Sequence, residues 1–233
     1  MSAPYWQDGS VQLYLGDCRE ISEWQSADVL VMDPPYGRDW HQGGLTGSRR
    51  PGNRKRPGGD HREGIKGDAD TAVRDAVLAI WGDRPAVVFG DLMLAPPAGS
   101  KLPLVYQKPP DAGARGGLGG FRRDAEAVYL LGSWPTQLGG RSSILTTSAR
   151  TSGNPGGLGA RYGHPHAKPV DVMETLIAAC PPGVIADPTS GAGSTLIAAR
   201  RQGRPAIGVE VDERYCEAAA RRLSQADMFG TAS

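Results

Sequence analysis

A chain of 233 residues holds enough apolar material for one domain with a sizeable core and argues against several independent modules. With 26 Lys and Arg against 25 Asp and Glu, the formal net charge is +1, which excludes an acidic disordered tail and a uniformly basic nucleic-acid coat; charge must act locally. The 33 glycines and 19 prolines exceed the usual globular share without reaching that of low-complexity disorder, and they predict regular elements joined by long loops.

In chain order, strand-like runs at Val11–Leu15 and Asp28–Met32 are followed by helical periodicity over Thr71–Trp81. Three more strand-like runs follow at Pro85–Phe89, Leu102–Tyr106 and Glu126–Leu131. The C-terminal third alternates helix and strand: Val170–Cys180, Gly183–Ala186, Ser194–Arg201, Ala206–Val209 and Glu213–Leu223. Several strand runs are continuously apolar rather than alternating, the pattern of strands covered by helices on both faces. The reading is an α/β, doubly wound, mostly parallel seven-stranded sheet in a single domain spanning 1–233.

Three stretches interrupt this rhythm. Residues 38–67 carry Arg38, Arg49, Arg50, Arg54, Lys55, Arg56, Arg62 and Lys66 against only Asp39, Asp60 and Glu63, which predicts a basic loop insert able to touch phosphates. Residues 109–123 are Gly-rich, with Arg115, Arg122 and Arg123 beside Phe121, and residues 138–163 are rich in Gly, Ser and Thr with Arg141, Arg150 and Arg161. Cys18, Cys180 and Cys216 lie far apart, which disfavours a disulfide framework and a thiolate zinc site. His164 and His166 have no carboxylate or thiol at ligand spacing, so no metal is expected. No apolar run has the length of a membrane span and the N-terminus lacks a secretion signal, so a soluble cytoplasmic protein is expected.

Two motifs carry chemistry. Asp33-Pro34-Pro35-Tyr36 directly follows the apolar run Val29–Met32, at the carboxyl end of a strand, where open parallel sheets bind ligands. Its two prolines stiffen the backbone and present the Pro34 carbonyl beside the Asp33 carboxylate. Two fixed acceptors next to the Tyr36 ring suit a planar group bearing an exocyclic amine, such as a nucleobase. The second motif is Asp187-Pro188-Thr189-Ser190-Gly191-Ala192-Gly193-Ser194-Thr195, between a strand and a helix. Glycines there let the backbone approach a ligand, and the helix N-terminus offers unpaired N–H groups. No Lys precedes Ser194, and Leu196 stands where a dinucleotide fingerprint has its third Gly, which argues against ATP and NAD. Glu210, closing the next strand, occupies the usual place of an acid that takes two ribose hydroxyls, so a nucleoside is implied.

Together these motifs resemble the amino-group DNA methyltransferases that use S-adenosylmethionine, in the permuted order called the β class. Asp33–Tyr36 resembles their D-P-P-Y, His164-Pro165-His166-Ala167-Lys168-Pro169 their H-x-x-K-P, and Asp187–Thr195 their D-P-F-x-G-S-G-T motif. Ile207–Asp212 with Tyr215 and Arg221 resembles G-I-E-I-x-x-x-Y, and Tyr14–Cys18 the G-D segment before the catalytic strand. The resemblance implies a Rossmann-like class I fold and site-specific methylation of the adenine N6 amine in flipped-out bases, as in restriction–modification systems. Cytosine N4 is the alternative, followed by an RNA methyltransferase or an inactive nucleic-acid-binding relative. Asp33, Pro34, Pro35 and Tyr36 would hold the target base. Asp187, Gly191 and Gly193 would cradle the methionine part of the cofactor, Glu210 its ribose, Asp17 its adenine amine, and Lys168 would lie near its carboxylate. Thr189 and Ser190 depart from the pattern. DNA contacts are expected from Arg49, Arg50, Arg54, Lys55, Arg56, Arg122 and Arg123 and from residues 138–163 as target-recognition loop; a homodimer is compatible with so short a chain.

Overall fold

The computed structural model describes residues 2–38, 66–109, 119–136, 139–149 and 167–226, together with the backbone of 114–115. Expectations on Arg49, Arg50, Arg54, Lys55 and Arg56, on Arg150 and Arg161, and on His164 and His166 lie outside these residues.

Nine strands form one mixed sheet: β1 (Trp6–Gln7), β2 (Val11–Leu15), β3 (Val29–Met32), β4 (Ala86–Gly90), β5 (Ser100–Gln107), β8 (Ala125–Leu131), β9 (Ile144–Thr146), β10 (Ile185–Asp187) and β11 (Ala206–Glu210). Two further short strands, β6 (Ala114–Arg115) and β7 (Arg122–Arg123), pair antiparallel with each other. The order across the sheet is β1-β2-β11-β10-β3-β4-β8-β5-β9. The strands from β2 to β4 run parallel, whereas β8 is antiparallel to both β4 and β5, and β1 to β2. The sheet is therefore larger than the expected seven strands and less uniformly parallel. The additional strands are the two-residue β1 and the three-residue β9 at its edges, too short to leave a periodic signal. The reversal of β8 follows from its connection: no described helix lies between β5 and β8, and a parallel return would need a crossover.

Among the described residues the helices are α1 (Ala72–Trp81), α2 (Val170–Ile177), α3 (Ser194–Arg201) and α4 (Glu213–Ala226), with a 3₁₀ turn at Glu23–Ser26. They cover both faces, and the strand side chains sort accordingly. Val29 and Val31 pack with residues of α2, α3 and α4, including Met173, Leu196 and Cys216, while Leu30 and Met32 pack on the other face with Trp24, Val77 and Trp81. This double coverage explains why β3 reads as an unbroken apolar run.

The sheet changes winding direction between β10 and β3. From β10 the chain passes through α3 to β11 on one side, and from β3 through α1 to β4 on the other. The pairing of Ile185 with Val29 and Ala186 with Leu30 brings the carboxyl ends of the two strands together at this switch point.

Leu196 explains its own departure from the dinucleotide fingerprint. It is fully buried, and a Cβ on Gly208 of β11 would lie 2.6 Å from its Cδ1. Close packing of helix and strand is thus obtained by a glycine on the strand instead of on the helix. Gly208→Ala is expected to destabilise the fold by about 1–3 kcal/mol through overpacking. In urea denaturation part of this loss should return in the Gly208→Ala/Leu196→Ala double variant relative to the sum of the single changes; strict additivity would show that the two residues do not share the space.

Candidate active site

The site is assembled along the carboxyl ends of four neighbouring strands: β2, β11, β10 and β3. Asp187 closes β10 and is 2 % exposed. It accepts hydrogen bonds from the Thr189 N–H at 3.2 Å and from the Thr195 hydroxyl. Burial outweighs these bonds and, with the charges of Asp33 and Glu210, pushes its pKa up to about 7. The turn after it closes on itself through the Gly193 N–H to the Ser190 carbonyl, 2.7 Å. Gly193 has φ +77°, and a Cβ there would lie 2.9 Å from that of Ala219 on α4, so the turn admits no side chain at this point. The Thr189 hydroxyl is buried and has no hydrogen-bond partner in the structure, so the turn holds an unused donor and acceptor.

Glu210 closes β11 and is 8 % exposed. Its two oxygens accept from the Gly191 N–H at 2.7 Å and the Asp212 N–H at 2.8 Å, which fixes the carboxylate across the mouth of the glycine turn while leaving each oxygen a second lone pair. Burial raises its pKa. Asp17 follows β2, and the Gly16 N–H donates to the Glu210 carbonyl at 2.9 Å, which brings Asp17 to the same rim. The Asp17 carboxylate is paired with Arg19, whose charge and hydrogen bonds lower its pKa.

Asp33 and Tyr36 lie just beyond β3. The Tyr36 hydroxyl donates to Asp33 Oδ1 at 2.8 Å, and its half-buried ring packs against the main core. Pro34 is buried beside them. The backbone after the tetrapeptide is anchored by the Gly37 N–H to Asp68 Oδ1, 2.9 Å, and by Arg38 Nε to Asp91 Oδ2, 2.7 Å, so both ends of the 38–67 insert are tied to the site. Asp187, Glu210, Asp17, Asp33 and Tyr36 thus lie along one rim of the sheet.

Lys168 lies at the tetrapeptide. Its ammonium donates to Asp33 Oδ2 at 2.7 Å and to the Tyr36 hydroxyl at 3.2 Å, and lies 3.2 Å from Glu126 Oε2. Glu126, on β8, and Lys108, just after β5, complete this cluster, and neither was singled out from the sequence. The available signal was a lone acid inside the apolar run Ala125–Leu131. Arg122 and Arg123, on β7, precede this strand by a few residues; Arg123 is exposed. Among the described residues no group of three or more His, Cys, Asp or Glu could hold a metal ion, and no helix is long and apolar enough to cross a membrane. The three cysteines are free and buried.

Comparison with known proteins gives the family and the fold. The chain is 40% identical over 231 residues to the putative methylase YubD of Escherichia coli K12, covering 90% of this chain and 88% of that protein. It is 44% identical over 95 residues to the type II methyltransferase M.ScaI of Streptomyces caespitosus, a match that covers 40% of this chain and 29% of the relative. Among solved structures, the cytosine-N4-specific PvuII DNA methyltransferase shares the fold with a TM-score of 0.65 at 17% identity, covering 94% of this chain and 88% of that one. The M1.HpyAVI–SAM complex does so with 0.59 at 19%, covering 91% and 98%. The family model of DNA methylases acting on N6 or N4 matches residues 77–221, more than half of the chain, and the chain belongs to that family.

Proposed function

We propose that this protein is an S-adenosylmethionine-dependent DNA methyltransferase that modifies the exocyclic N6 amine of adenine. The observation that carries the reading is the meeting, on adjacent parallel strands, of the Asp33–Tyr36 corner with the glycine turn after Asp187.

The residues present fit the cofactor. The N-terminus of α3 offers backbone N–H groups, the Thr189 hydroxyl is buried without a partner, and Glu210 keeps free lone pairs for a ribose diol. Asp187 and Glu210, held only by neutral donors, line this half with acid, which favours a ligand bearing positive charge. When bound, S-adenosylmethionine supplies an electrophilic methyl group on a sulfonium.

On the other side, Asp33 and the Pro34 carbonyl accept hydrogen bonds from the two N–H groups of the target amine. An amine conjugated with the ring is a weak nucleophile, and these two acceptors draw its lone pair back onto nitrogen. Each Asp33 oxygen already accepts one bond, from Tyr36 or Lys168, and retains a lone pair for the amine. The exposed part of the Tyr36 ring receives the base by stacking, worth about 1–3 kcal/mol. Because the amine is inaccessible within a duplex, the base must be extruded first. Fixing nucleophile and electrophile in line supplies several kcal/mol of the barrier reduction. Arg122, Arg123 and the 38–67 and 138–163 segments are our proposed DNA contacts, and a homodimer our proposed assembly. Adenine rests on the aspartate that opens the tetrapeptide. Cytosine N4 is the second reading, favoured by the fold shared with the PvuII enzyme.

Incubation of the protein with DNA and S-adenosylmethionine, followed by nucleoside mass spectrometry, should yield N6-methyladenine, reduced at least about a hundredfold in Asp33→Ala. N4-methylcytosine would replace the substrate, and unmodified DNA would remove the function. A second expectation follows from Asp187. A cationic ligand beside it favours its carboxylate, so the folded pKa of about 7 falls on binding and a proton is released below that pH. Cofactor affinity should therefore rise with pH, being about tenfold weaker at pH 6 than at pH 8 and flat above pH 8. Calorimetric titration across this range checks it, and Asp187→Asn should bind weakly with the dependence abolished; a wild-type affinity independent of pH would contradict it.

A further inference from the structure

We propose that Glu126 is a positioning residue for amine methylation: from β8 it holds the Lys168 ammonium and the Tyr36 hydroxyl against Asp33, so that the acceptor carboxylate stays fixed in direction. The inference rests on the function proposed above and adds to it a residue on the antiparallel strand, remote in sequence from every recognised motif.

Glu126 is 8 % exposed and flanked by Ala125, Ala127 and Val128 on a strand that is otherwise apolar. An acid there costs desolvation that an apolar residue of similar volume would not, so fold stability alone gives no reason for it. Both of its oxygens are engaged. Oε1 pairs with the Lys108 ammonium, while Oε2 lies 3.2 Å from Lys168 Nζ and 3.3 Å from the Tyr36 hydroxyl, for whose single proton it competes with the nearer Asp33. Lys108 is itself set by the pairing of β5 with β8, its N–H donating to the Asp124 carbonyl at 2.7 Å. Two ammonium groups and two carboxylates thus form a compensated cluster in which Glu126 and Lys168 are buried and Lys108 and Asp33 half-buried. Of these side chains only those of Asp33 and Tyr36 reach the substrate in the proposed reaction; Glu126 acts through Lys168 and Tyr36.

The groups around the Lys168 ammonium come from every neighbouring element. Asp33 and Tyr36 follow β3, Glu126 lies on β8, and the Phe89 ring of β4 is 5.1 Å away. Behind these, Lys108 pairs with Glu126, Tyr106 of β5 feels the charges of Glu126, Asp171 and Asp33, and Asp187 feels that of Asp33. Burial disfavours the ammonium, and Asp33 and Glu126 overcome that penalty and raise its pKa. Neutralising Glu126 removes one of these two carboxylates. Lys168 then gives up its proton at a lower pH, and Asp33 loses the cation that orients it.

The test compares wild type with Glu126→Gln and Glu126→Asp by steady-state methyl transfer as a function of pH, with folding monitored by circular dichroism. Glu126→Gln should lower kcat about tenfold to a hundredfold, leave KM for S-adenosylmethionine within about twofold because that cofactor meets the opposite corner, and move the alkaline limb of the kcat profile to lower pH. Glu126→Asp keeps the charge but withdraws it by one methylene, so kcat should fall less and the alkaline limb stay in place. Wild-type kcat in either folded variant overturns the assignment, as does a reduced kcat in Glu126→Gln with an unchanged pH profile, which is what a merely structural role gives. Should Glu126→Gln fail to fold, the kcat against KM split in Glu126→Asp decides: a loss confined to kcat supports the proposal, and a loss shared by cofactor KM overturns it. Absence of transfer by the wild-type protein would overturn the functional reading and this assignment with it, whereas an active wild type with fully active variants overturns the assignment alone.

Discussion

The pairing of β10 with β3 is the constraint on which the site depends. These strands are separated by more than 150 positions in the chain, yet Ile185 and Ala186 lie beside Val29 and Leu30, and both strands end at the same edge of the sheet. A parallel pair has its two carboxyl ends on one side by construction, so whatever follows β3 faces whatever follows β10. The winding reversal at this pair opens a crevice there, because α1 leads away on one side and α3 on the other. No side-chain interaction is needed to bring Asp33 near Asp187; backbone hydrogen bonding does it, and side chains then set the chemistry.

That chemistry is governed by how each acid on the rim is balanced. Asp187 and Glu210 are held by neutral donors, backbone N–H groups and a hydroxyl, and burial raises the pKa of both. Asp33 instead faces a full ammonium at 2.7 Å. The two halves of the rim therefore differ in character: one is short of positive charge and suited to receive it in a ligand, the other is already compensated and presents oriented lone pairs. A single sheet edge thereby holds two acidic corners with separate tasks.

Much of this arrangement is legible in the amino-acid order. Continuous apolar runs reveal the central strands because helices cover both of their faces, and the glycine turn marks the start of α3 to the residue. Boundaries shift where local geometry intervenes. The run from Gly183 begins as a strand only at Ile185, since Gly183 has φ +121° and the Val184 N–H is taken by the Asp28 carboxylate. The edge strands β1 and β9, and the β6–β7 pair, are legible only from the fold because two or three residues establish no period. Lys168 illustrates the limit of motif reading: its presence follows from sequence, but its partner depends on β8 arriving antiparallel next to β4, which sets Glu126 beside it. Long-range electrostatic partners are invisible to spacing.

The interior position of β10 and β11 also governs the order in which the molecule can be built during synthesis. In the finished sheet both strands lie between β2 and β3, although β2 and β3 are made first and β10 and β11 last. Until the C-terminal third leaves the ribosome, β2 and β3 lack their shared neighbours, and one edge of each is open to pairing with foreign strands. Closure must await contacts of very long sequence separation, a topology that folds slowly. The strand order thus leaves these two edges unpaired until β10 and β11 have been made, and ties the glycine turn and Glu210 to contacts that form late.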